Sequence, residues 1–335
     1  MEKNNKQNLD QDDKDDIEET NNENEIEKLL ESIDVETKRQ IAVSEISTCS
    51  PKRITVENVE IIEGYTLTGV LVAKTYVADI FKAELKEKQS RSLVVKMINL
   101  NKIVEDELRE QIREHGAKIL DYIRQNPFKN IVKIHDIFLN QKKTLLIVEE
   151  YLNVPLPKFL RKAALKKQKF KTFSQSLASA INFLHCNGIA HQNISAHNIC
   201  IDSDGTLKLT SLEFAIICYD CDHDEVILQK RTSSIENSPF VAPEVINDEA
   251  YDPTKADVYS YGIILCFMIL KKYPYDSQTE GSKKEQWASA MNVINDFLTK
   301  LAKDLLVKCI ETDANKRIST RELVVHPYFM QSLFN

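Results

Sequence analysis

The sequence predicts an α+β protein of two lobes, and three observations carry that expectation. Short alternating apolar and polar runs fill residues 53–150, with one helical stretch among them. Helical spacing dominates from residue 151 to 335. The apolar fraction, 42% of 335 residues, is enough for a sizeable core, in one large two-lobed domain or two ordinary ones. Strands first and helices second make a small antiparallel β lobe with one helix, followed by a larger helical lobe.

Residues 1–52 come first and differ from the rest. Residues 1–34 carry 13 acidic side chains against 4 lysines, a net of −9, while the whole chain has −7. A segment this polar buries too little apolar surface to offset its ordering entropy, so a disordered acidic tail is expected over 1–52. Within it, Ile26, Leu29, Leu30 and Ile33 share one face and predict a helix over 26–33. A solubilising role competes there with the docking of a partner.

Alternation then predicts strands from Ile54, over 65–67, 69–72, 75–81 and 93–98. Leu108, Ile112, Ile119, Leu120 and Ile123 recur at helical spacing, so 106–124 is expected to be a helix. Strands over 131–138 and 144–148 close the first lobe. In the second lobe, helices are expected over 173–186, 254–270, 285–309 and 320–325, around a polar segment that ends near Glu244.

Composition narrows the function classes. Beyond residue 34 the charges nearly balance, so no domain-wide basic excess tracks nucleic-acid phosphates. The longest apolar run, 262–270, is too short to cross a bilayer and reads as a buried helix. The chain opens on polar and acidic residues, so a signal peptide is not expected, and seven cysteines are an odd number. Reduced thiols and a cytoplasmic location are expected, with the nucleus the other compartment open to it. Cys218 and Cys221 with His223 have the spacing of half a zinc site, and surface thiols in a flexible loop are the ordinary reading. Lys158, Arg161, Lys162, Lys166, Lys167, Lys169 and Lys171 form a basic run, either a solvated face or a surface for an acidic partner, the chain's own tail included.

Several separated stretches fall in one order. They are Val94-Val95-Lys96, His191 followed by Asn198, Ala242-Pro243-Glu244, Lys255-Ala256-Asp257 running to Gly262, and Arg317 before a closing His326-Pro327. Together they resemble the protein kinase superfamily, whose catalytic loop reads H-R-D-x-x-x-x-N ahead of D-F-G. Gly64-Tyr65-Thr66-Leu67 and Tyr251-Asp252-Pro253-Thr254-Lys255 resemble testis-specific serine kinases of the calmodulin-dependent-kinase-like branch.

The resemblance implies a role for each position, and many are filled by the wrong chemistry. Phosphoryl transfer needs positioning and charge neutralisation. The three glycines of the phosphate loop are replaced by Val72, Lys74 and Val77, which denies the backbone its close approach. Lys74 is a candidate charge for a phosphate. Lys96 stands where a lysine contacts the phosphates. Gly116 falls at its glutamate partner's position, leaving Glu114 as the nearest substitute. Glu149 takes the apolar gatekeeper position, where it could pair with Lys96, and Glu150 follows it at the rim of the adenine pocket. Asn193 replaces the catalytic base and has no useful basicity near neutral pH. Gln192 replaces the arginine that pairs an activation-loop phosphate, and Ser195 replaces the loop lysine. Ser211 and Asn198 hold the magnesium positions, a poor donor set for a hard cation, with Glu213 the one carboxylate that could compensate. Thr232, Ser233, Ser234 and Ser238 sit where activation loops are phosphorylated.

The structural positions, by contrast, are kept. Asp257 would anchor the catalytic loop, and Glu244 with Arg317 would tie the activation segment to the C-lobe. Leu120, Ile134, His191 and Leu212 would stack between the lobes. The expectation is a pseudokinase that scaffolds or regulates other proteins, a related active kinase among them, with no cofactor and no metal. The alternative is an atypical or weakly active serine/threonine kinase using ATP and Mg²⁺.

Overall fold

The computed structural model describes residues 35–49, 52–54, 61–62, 64–86, 92–140, 143–152, 154–162, 164–230, 239–246, 250–275 and 282–330. The helix expected at 26–33 and the hydroxyls of Thr232, Ser233, Ser234 and Ser238 lie outside them.

The first lobe is a seven-stranded sheet in the order β1-β6-β7-β5-β4-β3-β2. The strands are β1 (Lys52–Ile54), β2 (Ile61–Ile62), β3 (Tyr65–Lys74), β4 (Ala78–Leu85), β5 (Leu93–Asn99), β6 (Ile134–Asn140) and β7 (Thr144–Glu150). All neighbours are antiparallel except β1, which runs parallel to β6. Six of the seven residues of β7 are buried, as suits a strand covered on both faces. One face packs Tyr65, Leu93, Val95, Phe138, Leu146 and Val148 together.

The other face meets the helix that the apolar spacing predicts, in three pieces. They are α2 (Asp106–Gln111), a π-helical turn (Ile112–Gly116) and α3 (Ala117–Gln125). Such π turns are rare and recur at functional sites.

The second lobe holds β8 (Val154–Pro155), α4 (Leu156–Lys162), α5 (Lys167–Cys186) and the short strands β9 (Ile189–Ala190), β10 (Ile199–Ile201) and β11 (Leu207–Leu209). Next come β12 (Ile216–Ile217), β13 (Tyr219–Asp220), β14 (Glu225–Val226), α6 (Pro243–Ile246) and α7 (Pro253–Leu270). The chain continues with α8 (Lys283–Phe297), α9 (Lys300–Cys309), α10 (Thr320–Val324) and α11 (Pro327–Met330). Pro253 opens α7 at its first turn, and the Asp252 carboxylate accepts from the Thr254 and Lys255 amides. Most of α7 is buried all round, so it forms the centre of the lobe. The single helix expected over 285–309 is two helices. Leu298 is extended there, and the Thr299 side chain caps the next helix at the Ala302 amide.

Two further expectations are corrected. Val35–Thr48, which composition placed in the tail, is a helix (α1), with Ala42 and Ile46 buried in the main core. Its N-terminal half reaches the second lobe, where Arg39 Nε donates to the His185 carbonyl at 3.0 Å and its guanidinium lies over the Tyr219 ring. Its C-terminal half packs on α3. Gly188 has φ +68 and a Cβ there would stand 2.6 Å from Val43 Cγ2, so glycine lets the two segments meet. Cys218, read as a surface thiol, is buried with Ala190 and Ile216, and burial pushes its thiol up.

Candidate functional site

The site lies between the lobes, where β5 and β7 face the turn after β11. Lys96 enters it from β5, three residues into a buried run of valine and leucine. Its Nζ lies 3.0 and 3.1 Å from the two Glu213 carboxylate oxygens. Glu149 on β7 adds a longer pairing at 3.8 Å. All three side chains are buried, at 3% for Lys96, 7% for Glu149 and 3% for Glu213. Burial alone would lower the Lys96 pKa, but Glu149 and Glu213 outweigh it and hold the ammonium above its usual value. Burial raises the Glu149 carboxyl, Lys96 opposes that, and Glu213 pushes it further up; the net direction is upward.

Glu213 reaches Lys96 because of Gly116. A Cβ at position 116 would overlap the Glu213 carbonyl oxygen. The π turn thus presents a bare backbone where the resemblance places a glutamate, and the turn after β11 moves in to supply the carboxylate. Glu114, expected as substitute partner, is exposed and pairs instead with Arg113 at 3.0 Å. That correction has a geometric cause: Glu114 faces outward from the helix, and Lys96 is already satisfied. Glu213 is likewise no magnesium ligand in waiting, since both its oxygens are on Lys96.

The magnesium positions satisfy each other. Ser211 sits in the left-handed region, φ 69, and its Oγ donates to Asn198 Oδ1 at 3.1 Å. Asn198 Nδ2 donates in turn to the Asn193 carbonyl at 2.8 Å. The donor set is one hydroxyl and one amide with no free carboxylate, so these residues do not fit Mg²⁺. For a nucleotide the fit is poorer on the loop side, where the β3–β4 turn has side chains in place of the glycines that let a backbone approach phosphates. Lys74 is exposed and pairs with Asp79 at 3.5 Å. Val72 stands partly exposed on β3. Glu150, a candidate contact for the nucleotide, has its Oε1 occupied by the Lys133 amide at 2.7 Å and Lys208 Nζ at 2.7 Å.

Around this altered centre the framework is intact. The Asp257 carboxylate accepts from the His191 and Gln192 amides at 2.7 and 2.9 Å, and from His185 Nε2 at 3.0 Å. The Asn193 amide donates to His191 Nδ1, so Nε2 carries the proton and donates to the Thr210 carbonyl at 2.8 Å. Burial lowers the His191 pKa, in keeping with a neutral ring. Leu120, Ile134 and Leu212 lie in one core cluster, with His191 fully buried. Arg317 bonds both Glu244 oxygens at 2.6 and 2.9 Å. Gln192 donates to the Pro253 carbonyl and accepts from the Tyr251 hydroxyl, a neutral junction where the family places an arginine. Ser195 is buried and its carbonyl accepts the Asn198 amide. The Lys96–Glu213 pair was missed from sequence. Its one signal is joint: a glycine on the helix and an extra carboxylate two residues past Ser211.

Residues 77–329 match the family model described as the protein kinase domain. Among curated proteins the chain is similar to CBL-interacting protein kinase 2 of Oryza sativa subsp. japonica, 24% identical over 79% of this chain and 58% of that protein. CBL-interacting serine/threonine-protein kinase 7 of Arabidopsis thaliana is 27% identical over 72% of this chain and 54% of its own length. The carbon catabolite-derepressing protein kinase of Secale cereale is 24% identical over 83% and 53%. The chain thus spans about half the length of these relatives.

Proposed function

The chain belongs to the protein kinase domain family, and within that family we propose, on the chemistry of its site residues, that it is a pseudokinase, a regulatory or scaffolding partner of other proteins. The observation that carries this reading is at the two magnesium positions, where the Ser211 hydroxyl is bonded to the Asn198 amide and no carboxylate is free to hold the metal. Asn193 and Ser211 point the same way, because base and metal carboxylate are both replaced. Each such loss costs several kcal/mol of transition-state stabilisation on the usual scale of catalytic deletions. The partner class is protein. Two of these relatives are named for interaction with CBL proteins, which makes a protein-binding role a natural one to carry over. A cytoplasmic location is part of the same proposal, on the reduced cysteines that the composition suggests.

The second reading is an active serine/threonine kinase of unusual mechanism. It draws on the names of the relatives, all protein kinases, and on the retained Lys96, Asn198 and Asp257. A thermal-shift titration with ATP, with and without Mg²⁺, separates the two, since a ligand of the native state raises its melting temperature. The pseudokinase reading expects no shift at millimolar nucleotide. A Mg²⁺-dependent shift, followed by phosphate transfer to a peptide, would overturn it. The double variant Asn193→Asp, Ser211→Asp is expected to stay inactive, because the glycine-free β3–β4 turn and the buried Glu149 remain. Activity in that variant would mean the cleft still admits Mg-ATP.

A further inference from the structure

We propose that the acidic segment 1–34 docks across the basic face made by α4 and the start of α5, as an intramolecular cover for the second lobe. Lys158, Arg161, Lys162, Lys166 and Lys167 are all exposed there. Phe159 of α4 and Phe173 of α5 pack with ring centroids 5.4 Å apart, so the two helices present these cations on one end of the lobe. Among the described residues none of the five has a carboxylate partner; of their side chains, that of Lys167 lies 6.0 Å over the Phe297 ring. The remaining members of the basic run are used internally. Lys169 donates to the Gly205 carbonyl at 2.9 Å, and Lys171 is buried beside the Tyr328 ring.

The surface is therefore a concentration of positive charge without an answering anion among the described residues. It is also placed where such charge is costly. Lys166 is the N-cap of α5 and Lys167 its first residue, with no acidic residue in the first turn and no side-chain cap. Cations at the positive end of a helix dipole are unfavourable, so an external anion is favoured there more than at an ordinary lysine patch.

The chain holds its own counter-charge, a net of −9 over residues 1–34. Where that segment begins its path is fixed by α1, whose Arg39 holds the His185 carbonyl at the far end of α5. The path to be crossed is therefore the length of α5, about 30 Å for a 20-residue helix. The 34 residues of the acidic segment have a root-mean-square reach of roughly 30–35 Å in the coil limit. A tether whose reach matches the span gives close to the highest effective concentration, on the order of millimolar. Weak contacts suffice at that concentration. Each exposed pair contributes only about 0.2–1 kcal/mol, yet five cations facing 13 carboxylates on a matched tether favour the closed arrangement.

The test uses the full chain and a carbodiimide, which joins a carboxylate directly to an amine with no spacer. Peptide mapping of the monomer fraction is expected to find the carboxylates of 1–34 coupled to Lys158, Lys162, Lys166 and Lys167 several-fold more than to exposed lysines elsewhere, such as Lys283 or Lys316. The excess should disappear near 1 M salt, where the screening length falls to about 3 Å. It should also disappear in the variant Arg161→Glu, Lys162→Glu, Lys166→Glu, provided its melting curve matches the parent's. Coupling spread evenly over the surface, or unaffected by salt, would overturn the proposal. Coupling found mainly between two chains would overturn it as well, pointing to a second copy as the occupant.

Discussion

At the residue scale the protein turns on a carboxylate that changed address. The resemblance puts a glutamate on the helix at position 116; the structure has glycine there and brings Glu213 to Lys96 from the opposite lobe. Gly116→Ala should displace the Glu213 backbone and cost about 1–3 kcal/mol, the range for overpacking a filled site. A drop in the midpoint of urea unfolding, with the slope unchanged, checks it. Glu149 makes a pH prediction. Its folded carboxyl titrates above the ordinary 4.5, so the protonated form is favoured by folding. The stability it contributes is complete below that value and is lost as pH rises through the folded pKa. The melting temperature of Glu149→Gln minus that of the parent should therefore grow from about pH 4 to about pH 7. A constant difference would refute the assignment. Reading the chain alone located every residue of this centre and even the option of a Lys96–Glu149 pair. What it lacked was the partner Glu213, because a pairing 117 positions apart is set by how the lobes close and leaves no periodic trace.

At the element scale, β5, β7 and α3 were legible because burial leaves a mark on the sequence: the two strands, buried almost throughout, are continuous apolar runs, and α3 carries a helical apolar stripe. The element that was not legible is α1. Its neighbours in sequence are acidic and polar, and among its described side chains Ala42 and Ile46 are the buried ones, too few to stand out by pattern. Tertiary contact makes this helix, as it does most short ones. Ile46→Ala should cost about 2–5 kcal/mol, the cost of truncating a fully buried side chain. Hydrogen exchange should then speed up in α1, α3 and β13 together, since α1 packs on both of those partners. Faster exchange confined to α1 would mean that the helix is an ornament on the surface. The split of α8 from α9 was missed for a simpler reason: Thr299 caps a helix in the middle of an otherwise helical run.

At the scale of the whole molecule, the two lobes are fastened at several depths. Lys96–Glu213 joins them at the cleft, Tyr122 donates to Asn187 at 2.9 Å behind it, and α1 crosses the back. One continuous core runs through both lobes. Scanning calorimetry should accordingly record a single cooperative transition, and two resolved peaks would contradict these ties. The two-lobed plan was legible from the order of strand-like and helical stretches, since each lobe obeys its own periodicity. How tightly the lobes are joined was not, because the joints are single side chains from distant parts of the chain.

The exchange at positions 116 and 213 also ties two distant substitutions together. A glutamate at 116 would collide with the Glu213 carbonyl, and a residue at 213 without a carboxylate would leave Lys96 beside a protonation-prone Glu149. Changes at the two positions are therefore expected not to add, and a double-mutant cycle across them should return a coupling energy, because one position sets the room that the other occupies.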